Sequence, residues 1–444
     1  MPVRGEAVRH EKAGVSEPAG LPARAAAQAI LAEVLRRRRP LDSALEVLKH
    51  LSPRDAGFAR AIASETMRRF GQLEALVRVF VEKLPAPHRA GPTFEILLAG
   101  ACELLFLDVP AHAAVDGANL LAQRDAKAVH FKSLINAVLR RAVREGAATL
   151  AGQDAARLNT PDWLWPRWQE AYGKDIARRI AEAHGAPAPL DIVLKDETVS
   201  ADLVPGGQSL CSNVIRLPHG TSVAQLEGLA DQWWVQDLAA SLPARLFGDV
   251  RGKVALDLCA APGGKTMQLA ALGARVTSVD RDSTRMDRVR ENLARVGLDA
   301  RLVAEDVRDF RLAEPAPFVL LDAPCSATGT IRRHPELPWI KGASDVTLCA
   351  GAAQELLDAA SGLTAPGGQL VFAVCSLEPE EGEEQIDAFL EKNETYAREP
   401  IRPAEICGLS ACISAAGDLR SLPCHMAEQG GMDGFYAARL RKIS

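Results

Sequence analysis

Apolar positions along the first third of the chain recur at helical spacing, as Ile30 and Val34 do within ARAAAQAILAEVL. The segment SPRDAGFARAIASETMRRF begins with a capping serine, Ser52, and a proline at the first helical position. The run TFEILLAGACELLFL is apolar nearly all round, which predicts a buried central helix. No strand-like run interrupts these helices. We therefore expect a flexible tail at residues 1–21 and an all-α domain at residues 22–150.

Residues 151–235 have a mixed pattern. The helical segment TPDWLWPRWQEAYG carries Trp163, Trp165 and Trp168, and short strand-like pieces, LDIVLKD and CSNVIRL, follow among loops rich in Gly and Pro. This pattern predicts a small α+β linker domain. The tryptophans could stack on nucleobases, but packing is the favoured interpretation.

From residue 236 onward, apolar strand-like runs alternate with helical patterns. The runs are KVALDLC, ARVTSVD, ARLVAED, PFVLLDAP and GQLVFAVCS, and RMDRVRENLARVG lies among them with one apolar face. Such alternation predicts a doubly wound α/β domain with a parallel sheet over residues 236–444. Ligands of such sheets bind at the carboxyl ends of the strands, and the candidate motifs of this domain lie at those ends.

Composition places the chain among soluble proteins of two or three domains. It has 444 residues, of which 48% are hydrophobic and 25% charged, and no signal peptide or apolar run of spanning length, so we expect a cytoplasmic protein with no membrane contact. Nine cysteines without a C-x-x-C pair predict reduced thiols and no metal site. Residues 1–150 hold 22 Lys and Arg against 16 Asp and Glu, whereas the remainder holds 30 against 41. The basic excess points weakly to a polyanionic partner of the N-terminal domain.

Three consecutive strand ends suit an adenosyl ligand. Gly263 and Gly264 allow close backbone approach at a helix start, and an ATP-type loop is excluded because Cys259 stands where that motif needs glycine. The next strands end at Asp280, placed to accept ribose hydroxyls, and Asp306, placed to accept from adenine. Each acid taken singly could instead cap a helix. The series favours S-adenosylmethionine (SAM), with a predicted cofactor set of Cys259, Ala260, Ala261, Pro262, Gly263, Gly264, Lys265, Asp280, Asp306 and Asp322.

Two thiols and a carboxylate are predicted to meet beside that ligand. Asp322 and Cys325 follow the fourth strand and Cys375 follows the fifth, and these strand ends are adjacent in a doubly wound sheet. A cysteine at a strand end usually packs in the core, but a pair beside a donor site favours catalysis. Lys265 could lower a thiol pKa or only solvate a helix. The acids in VCSLEPEEGEEQ are expected to begin the following helix.

These motifs carry a resemblance. LDLCAAPGGKT, LLDAPCSATGTIRRHPE, VCSLEPEEGEEQI and DGFYAARLRK resemble the motifs of RNA cytosine-carbon-5 methyltransferases of the Sun/Fmu and NOL1 family over about residues 230–444. LDVPAHAAVDGANLLAQ and LINAVLRRAVREG are similar to the NusB-type RNA-binding fold over about residues 22–145. The pairing of these two regions resembles that of bacterial small-subunit ribosomal RNA methyltransferases.

The resemblance implies methyl transfer from SAM to carbon 5 of a cytosine in RNA, with 16S ribosomal RNA as the expected substrate. Cys375 would form a covalent adduct at carbon 6, Cys325 would assist its release, and Asp322 would bind the cytosine edge. In DNA cytosine methyltransferases the cysteine that matches Cys325 is instead the nucleophile. The alternatives left open are the same chemistry on tRNA and a non-catalytic RNA-binding factor of ribosome assembly.

RNA contacts are less determined by the sequence. Arg332 and Arg333, beside His334, could hold phosphates or lie in a solvated loop, and the run Arg36–Arg39 favours a solvated helix end. The family's linker domain has an Arg-x-Asn strand end, which PLDIVLKDE lacks, so that contact is rebuilt or Lys195 substitutes. RNA is the expected partner, and we expect no metal and no obligate protein partner.

Overall fold

The computed structural model describes residues 18–196, 204, 206–218, 220–221, 226 and 231–443. The chain divides into two compact units, Met1–Gln153 and Asp154–Ser444. Most of the predicted N-terminal tail, residues 1–17, lies outside the described residues. Within the described part of the chain, no helix has both the length and the hydrophobicity that crossing a bilayer requires.

The first unit is helical, as predicted. Ser52 caps α3 by accepting a hydrogen bond from the Asp55 backbone N–H at 3.2 Å, and α6 is buried over most of its surface. At the end of α1, Arg36 pairs with the buried Glu95 of α6 at 2.5 Å, so only part of the arginine run is solvated. The helices are α1 (Leu21–Arg37), α2 (Leu41–Ala44), α3 (Pro53–Arg68), α4 (Phe70–Phe80), α5 (Pro87–Ala90), α6 (Thr93–Phe106), α7 (Ala111–Arg124) and α8 (Lys132–Ala151).

The second unit opens with the predicted small α+β region. Its helices are α9 (Ala155–Leu158), α10 (Trp165–Tyr172) and α11 (Lys174–His184). Its antiparallel sheet has the order β2-β3-β1-β4, formed by β1 (Asp191–Leu194), β2 (Gln208–Cys211), β3 (Val214–Arg216) and β4 (Trp233–Val235). This sheet lies within the same compact unit as the larger one, and the boundaries at 150/151 and 235/236 stay predictions.

Two of the three tryptophans, Trp163 and Trp168, serve packing. Trp168 is fully buried, and its indole N–H donates to the Glu378 carboxylate at 3.0 Å. The Trp163 indole donates to the Pro338 carbonyl at 2.9 Å. The favoured interpretation is therefore correct for both. Since Glu378 lies three residues after Cys375, α10 braces the loop that carries the predicted nucleophile.

A second, eight-stranded sheet has the order β10-β12-β9-β8-β5-β6-β7, with β11 paired to β12. The five strands predicted from the sequence are parallel: β5 (Val254–Leu258), β6 (Arg275–Asp280), β7 (Arg301–Ala304), β8 (Ala316–Asp322) and β9 (Thr364–Val374). The predicted parallel sheet is extended at one edge by antiparallel strands. There β12 (Phe435–Lys442) runs antiparallel to β9 and to β10 (Tyr396–Arg398), and β11 (Leu419–Ser421) runs antiparallel to β12.

The antiparallel edge follows from the connections. The crossover from β9 through α17 (Glu383–Lys392) to β10 leaves a gap one strand wide, which β12 fills in the opposite direction. Helices cover both faces of the sheet, as predicted. One core cluster includes residues of α12 (Leu238–Arg245), α13 (Gly264–Ala271) and α14 (Ser283–Val296), and another includes residues of α16 (Ala343–Leu363) and α17; the short α15 (Leu337–Ile340) precedes α16.

The expectation that all cysteines are reduced is wrong for two of them. Cys211, at the end of β2, and Cys407 form a disulfide, with their Cα atoms 5.5 Å apart. Both pack against the core cluster that α12, α13 and α14 share, which brings together positions 196 residues apart in sequence. Cysteine spacing could not reveal this pairing because the fold, not the local sequence, creates the proximity.

Candidate active site

The loop after β5 requires glycine where the sequence predicted it. Gly263 has φ 103° and forms the N-cap of α13, a left-handed conformation that side chains rarely adopt. A Cβ atom there would lie 3.0 Å from Cγ1 of Val289 on α14. The backbone can therefore pass close to α14 and direct the N–H groups of the α13 start toward the strand ends.

Asp280 and Asp306 lie at neighbouring strand ends, as predicted. Asp280 is buried and accepts hydrogen bonds from the Ala261 N–H at 3.2 Å and the Asp282 N–H at 3.1 Å. The helix-cap alternative is wrong for Asp280, because Asp282 caps α14. Hydrogen bonds from Arg308 lower the pKa of Asp306 to about 2. Both acids line a cavity of about 180 Å³ that also contains Cys259, Arg281, Arg285, Val307, Pro324 and Leu356.

A larger cavity of about 700 Å³ lies along the remainder of the glycine loop. Its lining includes Ala260, Pro262, Gly264, Lys265 and Asp322, together with Trp233, Trp234 and Arg295. Eight of the ten predicted cofactor residues thus line one or the other of these two cavities, and Ala261 and Gly263 line neither of them.

The two predicted catalytic thiols are in contact. The Sγ atoms of Cys325 and Cys375 are 3.4 Å apart, because β8 and β9 pair in parallel up to Asp322, which lies opposite Ala373. The hydrogen bond with Cys375 and the burial of the site raise the pKa of Cys325 well above its ordinary value, and the nearby Glu381 charge acts in the same direction. The thiol contact, the burial and the Glu381 charge therefore all disfavour ionisation of Cys325.

A buried cation lies beside this pair. The Lys265 Nζ atom is 2.7 Å from the Asp322 Oδ2 atom. Burial opposes the lysine charge, but the charges of Asp322, Asp257 and Cys375 outweigh burial and raise the pKa of Lys265. The alternative that Lys265 only solvates its helix is therefore wrong.

The acidic run after Cys375 has two roles, of which the sequence showed one. Glu383 and Glu384 begin α17, as predicted. Glu378 and Glu381 are fully buried instead, so the prediction is wrong for them. Glu378 accepts hydrogen bonds from Arg167 at 2.7 Å and from the Trp168 indole described above.

Glu381 bonds to the residues that follow both thiols. It accepts from the Ser326 backbone N–H at 2.7 Å, from the Ser326 hydroxyl at 2.5 Å, and from the Ser376 hydroxyl. Sequence reasoning missed these three residues. The available signal was the Cys-Ser dipeptide, which occurs in both thiol motifs.

Arg332 and Arg333 do not lie in a solvated loop, and their contact with phosphates stays a prediction. Arg333 donates to Asp237 at 2.6 Å and to Asp433 at 2.9 Å, and Arg332 donates to the Gly430 carbonyl at 2.7 Å. These contacts turn both guanidinium groups toward carboxylates and carbonyls of the protein, which does not support a role in phosphate binding. His334 is about one-third exposed.

Lys195, the other predicted RNA contact, donates to the Val296 carbonyl at the end of α14 at 2.7 Å. Its ammonium group therefore ties the small sheet to α14, which does not support a substitute role in RNA binding.

Comparison with known proteins identifies the family. Residues 247–441 match the family of 16S rRNA methyltransferase RsmB/F, and residues 21–144 match the NusB family. Ribosomal RNA small subunit methyltransferase B of Vibrio cholerae is 34% identical, covering 94% of this chain and 97% of its own length. The Pseudomonas putida protein of the same name is 37% identical, covering 95% and 98%. The chain belongs to the RsmB/F methyltransferase family.

The fold comparison agrees with this membership. The crystal structure of PH0851 superposes with a TM-score of 0.76 and 21% sequence identity, covering 96% of this chain and 99% of that one. At this identity the likeness shows the fold alone. The resemblance inferred from the motifs and the enzyme class, a SAM-dependent RNA methyltransferase, are both confirmed by the family membership.

Proposed function

We propose that this protein, acting in the cytoplasm, methylates carbon 5 of a cytosine in 16S ribosomal RNA through a covalent adduct of Cys375. The observation that carries the proposal is the pair of thiols, 3.4 Å apart, at the carboxyl ends of β8 and β9, beside the ion pair of the buried Lys265 with the partly exposed Asp322. Carbon 5 of cytosine is too weak a nucleophile to accept a methyl group without covalent activation, and a thiol is suited to supply it.

The residues present fit SAM. Asp280 offers a buried carboxylate at the end of β6 for the ribose hydroxyls, while Val307, Pro324 and Leu356 offer apolar walls for a purine. Asp306 would accept from the adenine amino group. The glycine loop would hold the methionyl part through backbone N–H groups. SAM, when bound, supplies the methyl group to carbon 5 of the base.

The chain's own residues prepare the cytosine. The Cys375 sulfur bonds to carbon 6, and the electron pair of the 5,6 double bond shifts toward carbon 5. Carbon 5 is then nucleophilic enough to accept a methyl group. Asp322 hydrogen-bonds the cytosine edge, and Lys265 holds that carboxylate in place. After methylation, a water molecule takes the proton from carbon 5, the carbon 6–sulfur bond breaks, and Cys375 departs as a thiolate. Cys325 assists this departure by donating a hydrogen bond to the leaving sulfur.

The substrate is tested with the purified full-length protein, radiolabelled SAM, and 16S rRNA or tRNA from a strain that lacks the gene. We expect label in one cytosine of 16S rRNA, mapped by bisulfite sequencing, and the same methylcytosine to be missing from that strain. Label only in tRNA would replace the rRNA assignment. The absence of label from both RNAs, with binding retained, would favour an assembly factor.

Replacement of Asp280 by asparagine is expected to weaken SAM binding about 10- to 100-fold, since a hydrogen bond to a charged group contributes about 1.5–3 kcal/mol. The measurement is SAM affinity by isothermal titration calorimetry. The matched control is Asp287→Asn on the exposed face of α14, which should bind as the wild type does. Equal affinities for all three proteins would remove Asp280 from the cofactor site.

A further inference from the structure

We propose that Glu381 is a positioning residue that holds the two cysteine loops together and keeps Cys325 protonated. The inference rests on the proposed cysteine chemistry and adds a residue to it. Glu381 lies in the turn Pro379–Glu381 before α17, with no exposed surface.

The geometry links Glu381 to both thiols through their following serines. One carboxylate oxygen accepts from the Ser326 N–H at 2.7 Å, and the other accepts from the Ser326 and Ser376 hydroxyls. All three partners are donors, an arrangement that suits an ionised carboxylate. Because Ser326 follows Cys325 and Ser376 follows Cys375, one side chain sets the separation of the two sulfur atoms.

Other hydrogen bonds also hold the loops after β8 and β9 in place. The Ser376 hydroxyl accepts from the Glu378 N–H at 3.0 Å, and Thr328 accepts from the Leu377 N–H at 2.9 Å. The Gly329 N–H donates to the Cys375 carbonyl at 3.0 Å. The loops after β8 and β9 are therefore joined at several points, and Glu381 is the acceptor with the most bonds among them.

The charges around the pair are asymmetric. Cys325 faces Cys375 and the Glu381 carboxylate, whereas Cys375 interacts with the Lys265 ammonium. Cys349 on α16 also faces Glu381. A negative neighbour disfavours a thiolate, so the Glu381 carboxylate favours the protonated form of Cys325, while the Lys265 ammonium attracts negative charge on Cys375.

This placement balances the covalent step. The Cys375 thiolate bonds to carbon 6 while Cys325 retains its proton throughout. When the carbon 6–sulfur bond breaks, the electron pair returns to the Cys375 sulfur, and the protonated Cys325 thiol donates a hydrogen bond to it. The addition and release of the sulfur involve no oxidation or reduction, and the release needs no further proton donor.

The test uses the full-length protein and variants Glu381→Gln and Glu381→Asp, with Glu384→Gln as the matched control because Glu384 is an exposed acid of the same run. Alkylation of each cysteine by iodoacetamide is followed against pH by mass spectrometry, without RNA. We expect Cys325 of Glu381→Gln to react at lower pH than in the wild type. Glu381→Asp, which keeps the charge, should restore the wild-type profile of Cys325.

In the methylation assay, Glu381→Gln should lower kcat about 10- to 100-fold, with KM for SAM within about twofold of the wild type, because a displacement of about 1 Å at a reacting group can cost about 100-fold. The inference would be overturned if the pH profile of Cys325 alkylation in Glu381→Gln matched the wild type, or if Glu381→Gln and Glu384→Gln changed kcat equally. If Glu381→Gln fails to fold, Glu381→Asp and Ser326→Ala decide it: Ser326→Ala keeps the charge, so its Cys325 profile should match the wild type while kcat falls. Because alkylation needs no substrate, its outcome is independent of the RNA assignment.

Discussion

Replacement of Cys375 by alanine is expected to lower the rate of methyl transfer by more than about 10⁴-fold, as removal of a covalent nucleophile does in well-characterised enzymes. The reason is geometric and electrostatic. Cys375 ends β9 with its sulfur 3.4 Å from Cys325 and within the influence of the buried Lys265 ammonium. Alanine removes the only atom that could bond to carbon 6 from that position, while leaving the SAM site unchanged.

For Cys325→Ala we expect the covalent adduct to form but not to be released. Without the Cys325 thiol to donate a hydrogen bond to the departing sulfur, the adduct between Cys375 and the cytosine should accumulate as a covalent protein–RNA complex. The measurement is a denaturing gel of each variant with labelled 16S rRNA and SAM. Cys102→Ala, which removes a buried thiol from the N-terminal unit, is the control and should methylate normally without a trapped complex.

The pattern of trapping decides between the two cysteines. If Cys375→Ala traps RNA and Cys325→Ala does not, the roles are reversed and Cys325 is the nucleophile, as in the DNA enzymes. If neither variant loses activity, the covalent route itself is wrong.

The parts of this site that the sequence predicted are those set by local pattern. An apolar strand run followed by a polar or thiol side chain marks a strand end, so the positions of Asp280, Asp306, Asp322, Cys325 and Cys375 could be placed before the fold was known. Their order along the sheet follows from the doubly wound topology. The structure confirms the shared edge for the two thiols through the parallel pairing of β8 and β9.

The parts that the sequence did not predict depend on long-range contacts between charged groups. Glu381 is one acid in a run that looks like a helix start, and only the fold brings it to Ser326, 55 positions away. Arg333 meets Asp237 and Asp433 across 96 and 100 positions. A charged residue is surface-exposed by default, and its burial is visible only when its partner is known.

Asp237→Asn is expected to destabilise the protein by about 3–5 kcal/mol, the usual cost of removing one partner from a buried ion pair. Asp237 lies within 2.6 Å of the Arg333 guanidinium, and its other oxygen accepts from the Asp433 N–H at 3.1 Å. Asparagine keeps the oxygen that caps α12 by accepting from Ala239, so the change isolates the charge. The amide would present donors to a guanidinium that also only donates.

The measurement is the urea midpoint of the full-length protein. Asp287→Asn, which breaks an exposed pair with Arg290, is the control and should shift stability by less than about 0.5 kcal/mol. Burial opposes ionisation of Asp237, but Arg333 and Arg332 outweigh it and lower its pKa below the ordinary value of 3.8. The Asp237 charge therefore stabilises the fold at neutral pH, and this stabilisation is lost as the pH falls below that value. Acid should reduce the difference in free energy of unfolding between the wild type and Asp237→Asn.

The variant Arg333→Met, alone and combined with Asp237→Asn, distinguishes a structural role of Arg333 from a contact with RNA. If Arg333 held a phosphate, Arg333→Met would weaken RNA binding and reduce its salt dependence while leaving the urea midpoint unchanged. The ion pairs predict the reverse: Arg333→Met lowers the midpoint, and adding it to Asp237→Asn costs less than the sum of the two single changes because the partner charge is already gone. Full additivity would show that the two side chains act independently. The loop from Cys325 to His334 would then owe its position to its other contacts, such as the Gly329–Cys375 and Ser326–Glu381 hydrogen bonds.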